Sequence, residues 1–338
     1  MAQHIDVVAV YRMPASLALS EGCFSKNFTV NIGGLTGKAT TPSLVWKEKD
    51  DEPHIVAPLI DEQLKKYVEH YVTNSKDKIE KWNYWGSVNS WNPKTHVALN
   101  AHVRALLIHF KIDPSKITYS NYLYGRGHPT GKTIDTLFAE VDEWFERIRV
   151  WVEAASDQDI NPRAPLRSLE MRGSGLHVFT MEKETVSLPA NSSSIVLVKR
   201  DAEKVKLPIF RKIINLANAG TLPSDAHMLL CESRADKRRG QYRRAVIDAG
   251  SATEITLADF NNRVTRVGVQ PGKLPTLGWY VNQRAIKIGA ALPTNTKADL
   301  VDIRNSAIHQ NQVPTTEETN KALALAEQIV NYIDPLPL

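Results

Sequence analysis

The chain predicts an α+β protein in two parts: a mixed α+β region over residues 1–205 and an all-helical bundle over 206–338. Three observations lead there. Short β-branched and aromatic runs, punctuated by turn residues, recur through the first part. From about Leu207 the strand signal stops and only helical periodicity remains. The length of 338 residues, with 42% hydrophobic and 23% charged residues, suits two globular domains of about 100–200 residues each.

Taken in order, Val7–Tyr11, Phe28–Ile32 and Ser43–Trp46 read as strands, separated by Gly33-Gly34 and the charged run Lys47–Glu52. Helical spacing follows in Leu64, Tyr67, Val68, Tyr71 and Val72, and again in Leu99, Val103, Leu106, Leu107 and Phe110. The clearest amphipathic helix covers Ile134–Val152. There Leu137, Val141, Trp144, Phe145, Ile148 and Trp151 share a face opposite Asp142, Glu143, Glu146, Arg147 and Arg149. After Asn161-Pro162, strands return at Leu176–Met181, Thr185–Leu188 and Ile195–Val198. The compositional change falls within residues 200–222.

Four helices are legible beyond it. Pro223-Ser224-Asp225 opens the first, whose inner side carries Ala226, Leu229, Leu230 and Ser233. The second follows Gly240 and bears the small-residue stripe Ala245, Ala249 and Ala252, with Val246, Ile255, Leu257 and Phe260 adding bulk. A third runs from about Thr296 through His309. The last starts at the capping-box pattern Thr315-Thr316-Glu317-Glu318, has the stripe Ala322, Leu323, Ala326, Ile329, Val330 and Ile333, and stops at Pro335. A further helical piece lies around Trp279–Ile288. Short connections favour an antiparallel bundle.

Net charge is +5 and the isoelectric point is near 9.0, which suits a polyanionic partner without requiring one. Two cysteines, Cys23 and Cys231, exclude a disulfide framework and provide no metal spacing. No run approaches the roughly 18 apolar residues of a membrane span. Met1–Val10 shows no export leader, so the cytoplasm is the expected compartment. Gly125–Thr133 invites a P-loop reading, but Arg126 stands where the motif needs glycine and Pro129 lacks an amide; an anion site at the following helix start is the residual option. Trp82, Tyr84, Trp85 and Trp91 read as core before base-stacking residues. His96, His102 and His109 lack the three- or four-residue spacing of metal ligands on a helix. No metal and no cofactor is expected.

Two stretches of the helical part carry a resemblance. Val301-Asp302-Ile303-Arg304-Asn305-Ser306-Ala307-Ile308-His309 places an arginine, a polar residue, a short spacer and a histidine at a helix end. Arg243 through Glu254, Arg-Arg-Ala-Val-Ile-Asp-Ala-Gly-Ser-Ala-Thr-Glu, forms the long helix upstream. Together these resemble the HEPN domains (higher eukaryotes and prokaryotes nucleotide-binding), over roughly residues 222–336. The resemblance implies a metal-independent ribonuclease acting as a homodimer, with Arg304, Asn305 and His309 at the site and an acidic residue of the second helix, Glu254 or Asp248, beside the arginine. It also implies a context of phage defence or growth-arresting toxins, with an antitoxin or defence-system protein as partner, and a first domain that senses or binds.

The residue types suit that chemistry. Cleaving RNA without a metal needs a base for the 2′-hydroxyl, an acid for the leaving oxygen, and charge to offset the phosphorane. Histidine titrates near neutrality, and arginine offers a permanently charged fork. Positions 304 and 309 lie about 140° apart on an ideal helix. Both reach one cleft only if the helix ends near His309 or bends there, and Asn311 and Pro314 favour an end there; the resemblance implies that a second protomer or domain brings paired motifs together in a composite cleft. Arg234, Lys237, Arg238, Arg239, Arg243 and Arg244 form a basic run that reads either as an RNA-phosphate patch or as a solvated turn paired locally with Glu232 and Asp236.

Overall fold

The computed structural model describes residues 5–47, 52–58, 85–112, 119–120, 128–129, 132–156, 158–160, 175–180, 186–187, 203–265, 276–284 and 292–338. The chain is an α+β protein and divides into two units, Met1–Leu222 and Pro223–Leu338. Among the described residues no helix is long and apolar enough to cross a membrane. The expected strands Phe28–Ile32, Ser43–Trp46 and Leu176–Met181 match elements below. The expected helix around Leu64–Val72, the strand Ile195–Val198, the Asn161-Pro162 break, and Trp82 and Tyr84 lie outside the described residues.

The first unit is built on an antiparallel sheet. Two long strands, β1 (Ile5–Leu19) and β7 (Val97–Ile112), form its centre. On one side of β1 lie β10 (Gly175–Thr180) and β11 (Val186–Ser187). The other edge of β7 is shared: β3 (Leu35–Thr40) pairs with residues 107–110 and β6 (Gly86–Asn92) with 97–103. β2 (Asn27–Ile32) completes the sheet through a hairpin to β3, turned by Gly33 and Gly34 at φ 57° and 75°, values that favour glycine and match the strand twist. β4 (Ser43–Lys47) and β5 (Glu52–Val56) pair apart from it. β9 (His128–Pro129), within the broken P-loop stretch, pairs with β8 (Tyr119–Ser120) upstream of it; most of that stretch is outside the described residues.

The structure corrects one element. Leu99, Val103, Leu106, Leu107 and Phe110, whose spacing predicts a helix, lie on β7, and so do His102 and His109. As the central strand, β7 is buried on both faces between residues 101 and 108, with Arg104 half-buried among them. Such a strand shows no alternation, and a continuous apolar run satisfies helical spacing as easily as strand spacing.

Helix α1 (Lys132–Ala155) carries the expected apolar face, but Arg149, expected on the polar face, is buried and pairs with Glu146 and Glu153. Leu137, Val141, Trp144, Phe145, Ile148, Trp151 and Val152 are buried. Tyr11 of β1 packs against Phe145 with ring centroids 5.6 Å apart and planes tilted by 55°, and donates to Asp142 Oδ1 at 2.5 Å. Helix α2 (Leu207–Asn218) belongs to this unit, so the divide falls at the far end of the 200–222 window and not at 205/206. Phe210 meets Phe28 edge-on. The Asn218 side chain accepts from Asn31 N and Trp144 Nε1 and donates to Thr29 O, tying α2 to β2 and α1. Gln158 closes the edge of β1 by imitating a strand: its amide accepts from Ala18 N at 2.8 Å and donates to Ala18 O at 3.0 Å.

The second unit packs α3 (Asp225–Arg238), α4 (Tyr242–Thr265) and α7 (Thr316–Ile333) around Ala245, Ala249, Ala252, Ala322 and Ala326, all fully buried. Between α4 and α7 the chain forms the short turn α5 (Leu277–Trp279), continued as a π-turn over Tyr280–Arg284, and a second π-turn over Lys297–Asp302 that runs into α6 (Ile303–His309). The capping box is present: Glu318 N donates to Thr315 Oγ1, and Thr315 N donates to Glu318 Oε2. Ser224 Oγ and His227 Nε2 meet Asp334 at 2.7 Å each, joining the start of α3 to the end of α7.

His102 gives a test of the sheet. It is 2% exposed, and neither ring nitrogen has a hydrogen-bond partner among the described residues. Burial, reinforced by Arg104 and Lys204, lowers its pKa to about 4. The unfolded chain therefore binds the proton more readily. Stability is full above the unfolded value of about 6.5 and is lost as pH falls towards 4. Going from pH 7.5 to 5, this residue alone should cost the first unit about 2 kcal/mol. His102→Leu should remove that increment and raise stability at pH 5, as read by denaturant titration of both proteins. An unchanged pH dependence in the variant would show that the imidazole is not buried uncharged.

Candidate functional site

The candidate residues come together where α6 lies on α4. Arg243, Gly250 and Glu254 are seven and four residues apart, within about 40° of one another on an ideal helix, so α4 presents them as one stripe. α6 lies across it with opposite polarity, Arg304 near Gly250 and Glu254 and Ala307 near Arg243.

Arg304 sits deep in this seam, with a side chain only 16% exposed. Its Nη2 donates to Glu254 Oε2 at 3.0 Å, while Nε is buried without a hydrogen-bond partner among the described residues. Its stem runs over the backbone of Gly250: a Cβ built there would come within 2.8 Å of Arg304 Cγ and 3.1 Å of Cδ. Of the two acidic residues left open by the sequence, Glu254 is thus the one that pairs with Arg304. Asp248 lies instead with Arg244, whose Nε is 3.7 Å from Asp248 Oδ2 and 3.0 Å from the buried Asp236. Burial raises the Asp248 carboxyl to about 6; Arg244 opposes the rise, and Asp236 and Glu232 add to it.

α6 ends at His309. The amides of Gln310 and Gln312 both donate to Ser306 O, and Asn311 takes a left-handed φ of 52°, which asparagine tolerates better than most residues. His309 is exposed at that end, and its imidazole makes no hydrogen bond among the described residues. Asn305 is half-buried on the same helix, also without a side-chain partner. Arg243 Nε donates to Ala307 O at 2.8 Å, satisfying a carbonyl that the last helical turn leaves open.

The basic run divides by role. Arg234 pairs with Glu327 of α7 at 3.6 Å, and Arg239 and Arg244 both pair with Asp236. Lys237 and Arg238 occupy the last turn of α3. Arg243 is the member that touches α6. In the first unit, Trp85 is buried, while Trp46 stacks on His96 at 4.8 Å.

The sequence reading missed Gly250 and the capping by Arg243. A signal was present for the glycine, since one in a helix interior costs about 1 kcal/mol relative to alanine and often marks a close approach. The arginine's role depends on which helix lies opposite, and no local pattern encodes that. No protein-family model, curated protein or solved structure matches the chain.

Gly250→Ala tests the seam. It gains helix propensity but pushes the Arg304 stem off α4. The helical unit should lose about 1–2 kcal/mol, measured by hydrogen exchange of α4 amides. In an Arg304→Ala background the same change should be neutral or stabilising by up to about 1 kcal/mol. Stabilisation in the otherwise native chain would mean that Arg304 does not lie over this glycine.

Proposed function

We propose that this chain is a metal-independent endoribonuclease, with a HEPN-like helical unit that cleaves RNA at a composite site in a homodimer. The observation that carries the reading is the end of α6. The helix stops at His309 with the imidazole exposed and without a hydrogen bond among the described residues, while Glu254 of α4 holds Arg304 about one turn earlier on the same helix. A histidine at a helix end can face a second copy of itself, which is the composite arrangement that the HEPN resemblance implies.

In this reading His309 of one protomer takes the proton from the RNA 2′-hydroxyl, and that oxygen attacks the adjacent phosphorus. The partner subunit's His309 gives a proton to the departing 5′-oxygen. The products are a 2′,3′-cyclic phosphate and a 5′-hydroxyl, so imidazole alone covers both proton transfers. Arg304 contributes positive charge from behind the site and Asn305 a polar contact. The basic end of α3 and α4 guides the phosphate backbone inward. The first unit serves as a sensing or binding domain in the cytoplasm, and the context is phage defence or toxin activity with a silencing partner protein.

One observation favours a second reading. Arg304 is paired with Glu254 and mostly buried, which serves a purely structural bundle equally well. A non-catalytic dimerisation and binding module would then bind RNA or protein without cutting. The readings separate in one assay. The nuclease reading expects purified protein to degrade RNA in EDTA and His309→Ala to lose at least about a hundredfold of that activity. Equal activity in the two proteins would remove it, and binding without cleavage would favour the second.

A further inference from the structure

Resting on the ribonuclease reading, we propose that Arg243 is the residue that grips the RNA phosphate at this site, and that Arg304 is a positioning residue for α6. Phosphate recognition by arginine takes two parallel N–H groups of the guanidinium presented outward. Arg304 does not present them. One of its two terminal nitrogens, Nη2, is on Glu254 and its Nε is buried, so neither edge of the fork is free as a pair, and its stem is pinned over Gly250. To hold a phosphate it would leave Glu254 part-buried and unpaired, which is costly.

Arg243 has the complementary arrangement. It is exposed, it makes no ion pair among the described residues, and its one hydrogen bond uses Nε, on Ala307 O. That bond fixes the stem and leaves both terminal amino groups to reach solvent. The anchoring carbonyl is two residues before His309, in the last turn of α6. The guanidinium is therefore held at the helix end that carries the imidazole. It stands where two non-bridging phosphate oxygens of a bound RNA can accept from it while His309 handles the proton. The ligand class is a phosphodiester of single-stranded or looped RNA.

The test uses the full-length protein and two RNA oligonucleotides of one sequence, one cleavable and one uniformly 2′-O-methylated. Cleavage is measured on the first, and binding against salt concentration on the second, with a thermal melt of every variant. Arg243→Gln should keep the melt of the native chain, lower cleavage about 10²–10³-fold, and reduce the slope of log affinity against log salt by about one phosphate contact. Arg304→Lys should lower the melting temperature and leave the salt slope unchanged. If Arg243→Gln fails to fold, Arg243→Lys decides. It keeps a donor for Ala307 O but loses the fork, and the proposal requires at least a tenfold drop in cleavage by the folded variant. Native cleavage by either folded Arg243 variant overturns the proposal, as does an unchanged salt slope in Arg243→Gln or an absence of RNA binding by the native chain. If the native chain binds but does not cut, the ribonuclease reading fails, and the salt slopes still decide whether Arg243 holds phosphate.

Discussion

The pairing of Arg304 with Glu254 across the bare backbone of Gly250 fixes where α6 lies on α4. An arginine stem can approach a helix axis this closely only where no side chain stands. Glycine inside a helix is itself unfavourable by about 1 kcal/mol, so the chain accepts a local cost that a charge-assisted hydrogen bond and a well-packed seam offset. With Arg304 held, the rest of the short helix is positioned: Ala307 turns into the core, its carbonyl meets Arg243, and the helix ends with His309 in solvent. Seven residues are too few to hold a helix alone. The order of this end comes from α4.

The surrounding bundle supports that seam without taking part in it. Alanines at 245, 249 and 252 let α3 and α7 come close to α4 on its other faces, which makes α4 a rigid platform buried along most of its length. Asp236 gathers Arg239 and Arg244 and so draws part of the basic run into structure. The contrast within that run is the useful feature. Cations of similar composition differ in what they can do because some are already paired and one, Arg243, is anchored through a single nitrogen. In the first unit the same logic applies with opposite sign: His102 is buried without a hydrogen-bond partner among the described residues, and burial disfavours its charged form.

Much of this was legible in the residues. The α1 stripe, the capping box at Thr315 and Glu318, the start of α3 at Ser224, and the end of α6 before Asn311 follow from local rules whose causes lie within one helical turn. The β7 strand was not legible, because burial on both faces erases the alternation that marks a strand. The choice between Glu254 and Asp248 was likewise closed to sequence. Both sit on α4, and only the placement of α6 decides which of them meets Arg304. Roles set by a neighbouring helix, such as that of Arg243, are long-range facts that no spacing within one element encodes.

The seam can be tested most directly by a double-mutant cycle on Arg304→Gln and Glu254→Gln, with stability of the helical unit taken from the slowest-exchanging α4 amides. Both side chains are less than one third exposed, so their coupling is only partly screened by water. A favourable coupling energy of at least about 1 kcal/mol is predicted, with faster exchange of the α6 amides in each single variant. A coupling near zero, with α6 protected in all variants, would contradict the claim that this pair seats the helix bearing His309.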